Sequence, residues 1–141
     1  MTEPADAHRT IRLGPRQTLT VLSSTPDALE LECVWQPGTP PPTHWHPTQH
    51  EHFDVLEGEL TVVLDGDQRV LAAGDALDIP PRTAHRMWNA GSDPCRASWT
   101  VRPAERTEEL FRTMARRPGP LAKLGVLWRF RNELRLGSPR R

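Results

Sequence analysis

Apolar and polar residues alternate through Ala28–Trp35: Leu29, Leu31, Cys33 and Trp35 fall in one phase, Glu30 and Glu32 in the other. A two-residue period of this kind predicts a half-buried strand. The loop QPGTPPPT follows, and the next stretch, from Glu51 to Pro80, divides into four short strands at Glu57-Gly58, Asp65-Gly66 and Gly74-Asp75. Each of these pairs suits a tight turn. AHRMWN and CRASWTV are two further strands around AGSDP. Many short strands closely spaced by turns predict an all-β sandwich or barrel.

After Pro103 the period changes. AERTEELFRTMARR places Leu110, Phe111 and Met114 at helical spacing, and Pro118-Gly119-Pro120 ends that run. LAKLGVLWRFRNELRL then sets Leu121, Leu124, Leu127, Trp128 and Leu134 on one stripe with basic residues opposite. Both runs predict helices appended to the barrel, packing against it or against a second subunit. The expected organisation is a disordered N-terminus at 1–9, a barrel at 10–103, a helical extension at 104–136 and a disordered tail at 137–141.

Composition narrows this little. The 141 residues have a formal net charge of zero, but residues 1–103 hold 14 acidic and 8 basic side chains, and 104–141 hold 4 and 10. A negative body and a positive tail can attract within one molecule or between two. The RPGP linker and the apolar second run argue against a DNA-reading helix pair. No apolar leader and no run of about 18 apolar residues is visible. A cytoplasmic protein without nucleic-acid or membrane partners is expected. Cys33 and Cys95 form no CxxC pair and are expected to be free thiols.

Candidate chemistry sits in HWHPTQHEHF, where His44, His46, His50 and His52 surround Glu51. The cluster is either a solvated polar turn or a metal site. Strand parity sorts its members. His44 and His46 lie two apart and share a face. On the next strand Glu51 is in phase with Phe53 and Val55, the apolar and hence inward phase, so His50 and His52 point out. Later, His85 shares a face with Met87. The inward set is therefore His44, His46, Glu51 and His85. Three imidazoles and a carboxylate suit a borderline divalent ion. Metal binding is expected to survive loss of everything after Arg102.

These residues resemble a known family. GTPPPTHWHPTQHEHFDVLEG matches the first cupin motif, G(X)5HXH(X)4E(X)6G, at Gly38, His44, His46, Glu51 and Gly58. GDALDIPPRTAHRMWN matches the second, G(X)5PXG(X)2H(X)3N, at Gly74, Pro80, His85 and Asn89, with Arg82 where the motif has glycine. Nine of the ten defined positions agree. A glycine at position 82 would allow positive φ, so arginine implies a different or strained turn.

The resemblance implies a cupin-type double-stranded β-helix, a jelly-roll barrel, with one divalent transition metal (Fe, Mn, Ni, Zn, Co or Cu) at the inward set. It also implies a homodimer. The function expected is a metal-dependent cupin acting on an enol, diketone or aromatic metabolite as a dioxygenase-type oxidoreductase. Glu51 would serve as base, and Phe53, Met87 and Trp99 would line the substrate pocket. The alternatives are a non-catalytic binding or sensing cupin, and a redox-neutral isomerase or cyclase. The fold alone does not choose among them.

Overall fold

Alternation of the kind seen in Leu29–Trp35 recurs in His50–Glu57 and Cys95–Arg102, whose buried and less buried residues alternate. The computed structural model describes residues 9–139. In chain order the strands are β1 (Thr10–Gly14), β2 (Gln17–Ser24), β3 (Leu29–Trp35), β4 (His44–Trp45), β5 (His50–Glu57), β6 (Glu59–Leu64), β7 (Asp67–Ala72), β8 (Ala76–Ile79), β9 (His85–Trp88) and β10 (Cys95–Arg102). Two helices follow, α1 (Thr107–Ala115) and α2 (Pro120–Arg129), and then a short strand β11 (Arg135–Leu136).

The strands form two antiparallel sheets, ordered β1-β2-β3-β10-β5-β8 and β11-β4-β9-β6-β7. Their inner faces enclose one apolar core that includes Leu19, Leu31, Cys33, Phe53, Val55, Leu60, Val62 and Ile79. The fold is the jelly-roll barrel with two C-terminal helices that the sequence implied. Cys33 and Cys95 are free and buried within it, and burial pushes the Cys95 thiol up to about 11. Among the described residues no helix is long and apolar enough to cross a membrane.

Several motif residues turn out to be structural. Gly58 has φ +76°, and a Cβ there would stand 2.5 Å from the Pro94 carbonyl oxygen, so a side chain is excluded twice over. Asn89, buried in the core, donates from its amide to the Trp35 and Asp93 carbonyls at 3.0 and 2.7 Å and accepts from the Gly91 N–H. Its own carbonyl accepts from the Gly38 N–H at 2.9 Å, which joins the two motifs. Arg82 keeps the left-handed conformation of the glycine it replaces, with φ +61°. Its N–H donates to the His46 carbonyl at 2.8 Å, and its guanidinium lies 5.0 Å over the Trp45 ring.

The C-terminal region departs from expectation. The second apolar run was expected to be one helix to residue 136, but α2 stops at Arg129. Phe130 explains the break. It lies opposite the Leu121–Leu124–Trp128 stripe in helical phase, and it enters the core only once the helix ends. Beyond it, Arg135 and Leu136 pair with Trp45 and His44, covering the edge of β4. Of the expected stripe, Leu134 packs against the core, whereas Leu121, Leu124 and Trp128 are 84%, 64% and 69% exposed. Of the ends expected to be disordered, residues 1–8 and 140–141 lie outside the described residues. Gly137, within the expected tail, donates its N–H to the Thr43 carbonyl at 2.8 Å.

Candidate metal centre

β4 and β9 pair directly through His44 and His85, and β5 brings Glu51 from the facing sheet. His44, His46 and His85 each direct one ligand atom to a common point, all within 4.8 Å of one another. The Glu51 Oε1 lies 2.9 Å from His46 Nε2 and 3.0 Å from His85 Nε2. The four inward residues of the parity argument are thus brought together. His50 and His52 face outward, toward Asp78 at 3.3 and 2.8 Å. The hydrogen bond to Asp78 holds the His52 imidazole above its ordinary range.

Outer contacts fix how the four side chains present themselves. His46 Nδ1 donates to the Glu133 carbonyl at 2.7 Å, and His85 Nδ1 to the Thr83 carbonyl at 2.8 Å. The His44 ring is hydrogen-bonded to the backbone of Pro42. A donor role at Nδ1 leaves Nε2 of a neutral ring as a lone pair aimed into the site. Glu51 Oε2 accepts from Trp99 Nε1 at 2.7 Å, which leaves Oε1 for the centre.

The inward atoms are the ones left over. His46 Nε2 and Glu51 Oε1 are buried with no hydrogen-bond partner, although they stand 2.9 Å apart. Buried polar atoms are rarely abandoned, because desolvation without a partner is costly. Two ligands at about 2.0–2.2 Å from one ion and at right angles to each other stand about 3 Å apart, which is the spacing observed. The donor set and its geometry fit a borderline divalent cation.

Electrostatics point the same way. Burial, together with the His85 and His46 rings, pushes His44 down to about 3. Burial also works against the charged form of His46, but the Glu51 carboxylate outweighs it and the net shift is upward. Burial alone would raise Glu51. The neighbouring His46 and His85 prevail and hold its carboxyl well below the usual range. Three rings and one carboxylate, dry and mutually perturbing, form a centre that a cation would neutralise.

Phe53, Met87 and Trp99 are placed unequally. Phe53, 1% exposed, lies in the core between the Trp35 and Trp99 rings, with the Trp99 ring stacked at 5.1 Å. Trp99 is 8% exposed and holds Glu51, and Met87 is half-buried on β9. A recess of about 760 Å³, lined by residues such as Thr43, Val63, Asp65, Arg82 and Arg86, includes none of the three histidines. It lies against residues in the outward phase of β6 and β9, away from the centre.

Sequence reasoning missed the contribution of the C-terminal segment. Glu133 acts through its backbone carbonyl, which leaves no residue-type signal. The indole N–H of Trp99 was legible only as an inward aromatic in register with Phe53.

The comparisons agree with this architecture. The cupin-domain family model matches residues 31–101. The chain is 36% identical over 70 residues to "Polyketide synthase CurC" of Streptomyces cyaneus, covering 50% of this chain and 46% of that protein. It is 38% identical over 74 residues to the quercetin 2,3-dioxygenase of Bacillus subtilis, covering 50% of this chain and 22% of that one. The chain thus spans less than half the length of these two relatives. Among solved structures, KdgF from Halomonas sp. aligns with a TM-score of 0.65 at 23% identity, over 73% of this chain and 94% of that chain. On the family match, the barrel and the two motifs that build its centre, the chain belongs to the cupin-domain family.

Proposed function

We propose that the protein is a metal-dependent enzyme that binds one divalent transition metal through His44, His46, His85 and Glu51 and acts on a small enol, diketone or aromatic metabolite. The observation that carries this is the cluster of His44, His46 and His85 ligand atoms, with the buried Glu51 Oε1, which has no hydrogen-bond partner, 2.9 and 3.0 Å from the His46 and His85 Nε2 atoms. When bound, the metal supplies Lewis acidity toward a chelating oxygen and, for a redox-active ion, a route for electrons to dioxygen. Trp99 Nε1 pins Glu51 Oε2 at 2.7 Å, so Oε1 is the atom turned to the centre; as a base it would accept the proton of the substrate's acidic C–H or O–H only when released from the metal. Phe53 and Val55, on the same inward face of β5 as Glu51, keep the carboxylate's surroundings dry. The His46 and His85 rings are held by backbone carbonyls and stay in place while the proton moves.

The dioxygenase reading draws support from the likeness to quercetin 2,3-dioxygenase. Action on a polyketide-like substrate, in the redox-neutral alternative, draws it from the likeness to CurC, a polyketide synthase by name. Oxygen uptake by the iron- or manganese-loaded protein, measured aerobically with flavonols, β-diketones and short dicarboxylates, separates the two. Uptake that disappears in His46→Ala supports the oxygenase. Substrates that shift the metal's spectrum but consume no oxygen exclude the oxygenase and leave ligand binding or a redox-neutral reaction.

A further inference from the structure

Besides the Arg82 N–H on the His46 carbonyl, the loop that carries His46 into β5 is held by side-chain contacts to the chain beyond the barrel strands. His46 Nδ1 donates to the Glu133 carbonyl at 2.7 Å. Thr48 donates its hydroxyl to the Glu105 carboxylate at 2.6 Å. Gln49, 1% exposed, directs its amide nitrogen at the Pro103 and Ala104 carbonyls and the Thr107 hydroxyl, at 2.9, 3.0 and 2.7 Å. Its two N–H groups satisfy at most two of these at once. Three of the four residues 46–49 thus bond to the chain beyond Arg102.

Glu133 is itself clamped. Its carboxylate, almost fully buried, takes Arg106 Nη2 and Nε at 2.9 and 3.3 Å, and Arg106 Nη2 also donates to the Arg129 carbonyl at 2.7 Å. The Phe130 ring sits between the guanidiniums of Arg106 and Arg129, at 5.0 and 4.9 Å. Downstream, β11 pairs with β4, the strand that begins with His44. The segment therefore contacts the chain on both sides of His46 in sequence.

We infer that the C-terminal segment 103–137 is a strap that positions the His46 imidazole, with Arg106 as the positioning residue that locks the Glu133 carbonyl onto His46 Nδ1. The inference rests on the metal reading for its consequence, not for its geometry. Ring orientation set by a second hydrogen bond governs how well a histidine ligates, and loss of such a partner commonly weakens metal binding about 10- to 100-fold. Arg106 touches neither the centre nor a substrate, so its effect passes through Glu133 and His46.

The test compares wild type, Arg106→Ala, Arg106→Lys and, as a control on the same extension, Leu121→Ser at an exposed site. Each full-length variant is checked for folding by thermal denaturation. Cobalt(II) affinity and its visible spectrum are then measured, and the His46 Nδ1 proton is followed by NMR in metal-free protein. Arg106→Ala should lose a protected His46 Nδ1–H resonance, bind cobalt roughly tenfold or more weakly and alter its spectrum. Arg106→Lys should recover part of each, and Leu121→Ser none of the defect. Folded Arg106→Ala with wild-type affinity and an intact resonance overturns the strap, as does weaker binding with the resonance intact. If wild type takes up no cobalt yet the resonance vanishes in Arg106→Ala, the metal reading fails and the strap stands.

Discussion

Gly58 and Arg82 hold positive φ in the turns of the two motifs, and the same backbone state has different consequences. At Gly58 a Cβ would meet the Pro94 carbonyl oxygen at 2.5 Å, and backbone cannot move aside cheaply. Gly58→Ala should therefore lose about 2 kcal/mol or more, from left-handed strain and the clash together. Arg82 already bears that strain, about 1–2 kcal/mol. Its guanidinium over Trp45, 5.0 Å from the ring centre, offsets about 0.5–1 kcal/mol. Arg82→Gly relieves the strain, loses the ring contact and gains unfolded-state entropy, so it should fall within about 1 kcal/mol of wild type. Urea titration measures both variants. A larger loss in Arg82→Gly than in Gly58→Ala would contradict the assignment. The motif thus marked a conformation at position 82 that the residue type alone argued against.

At the scale of elements, the sheets were legible because the longer strands β3, β5 and β10 each have one wet and one dry face. Leu29–Trp35 alternates from buried to less buried along its length, and Glu51, Phe53 and Val55 are buried while His50, His52 and Asp54 are not. The inward ligands followed from that parity. β1 and β2 left a shorter trace, in which Ile11 and Leu13 alternate with Thr10 and Arg12, and Leu19 and Val21 with Thr18 and Thr20. β11 and the end of α2 were not legible. Helical periodicity carries no information on whether Phe130 must reach the core or β4 needs an edge partner. On the strap inferred above, metal binding should weaken when the extension is lost, against the expectation drawn from the barrel motifs alone, because Glu133 reaches His46 through a backbone carbonyl. The extension also stabilises the barrel. Leu110, Phe111 and Phe130 are 4%, 7% and 1% exposed, and each buried side chain contributes about 1.5–3 kcal/mol. Ending the chain at Arg102 should thus cost several kcal/mol, seen as a large fall in melting temperature. Glu108 gives a finer test on α1. Burial would raise its carboxyl, but Ser24 and Arg112 hold it below its usual range. A lowered folded-state pKa contributes stability above the unfolded value that disappears as pH falls through the folded one. Glu108→Gln should lose a few tenths of a kcal/mol at pH 7, a partly exposed contact being screened, and nothing near pH 2. A loss that persists unchanged in acid would assign the effect to packing.

For the molecule as a whole, the negative barrel and positive extension do not simply neutralise each other. Arg106–Glu133, Arg112–Glu108 and Arg129–Glu109 join the extension to itself, and Arg96 bridges Glu32 and Glu57 on the barrel. Leu121, Leu124 and Trp128 remain exposed beside basic residues, a surface suited to a second copy's acidic face. Light scattering should find a dimer at micromolar concentration, and Leu124→Glu should shift it toward monomer without reducing metal content. A monomeric wild type would refute the dimer. The central claim is that the inward phase of β4, β5 and β9, and not the density of histidines, defines a metal centre. Elemental analysis of protein purified without added metal tests it most directly, on wild type, His46→Ala and His52→Ala side by side. The expected result is about one transition-metal ion per chain in wild type and in His52→Ala, and almost none in His46→Ala. Equal loss in the two variants, or no metal in any of the three, would contradict it.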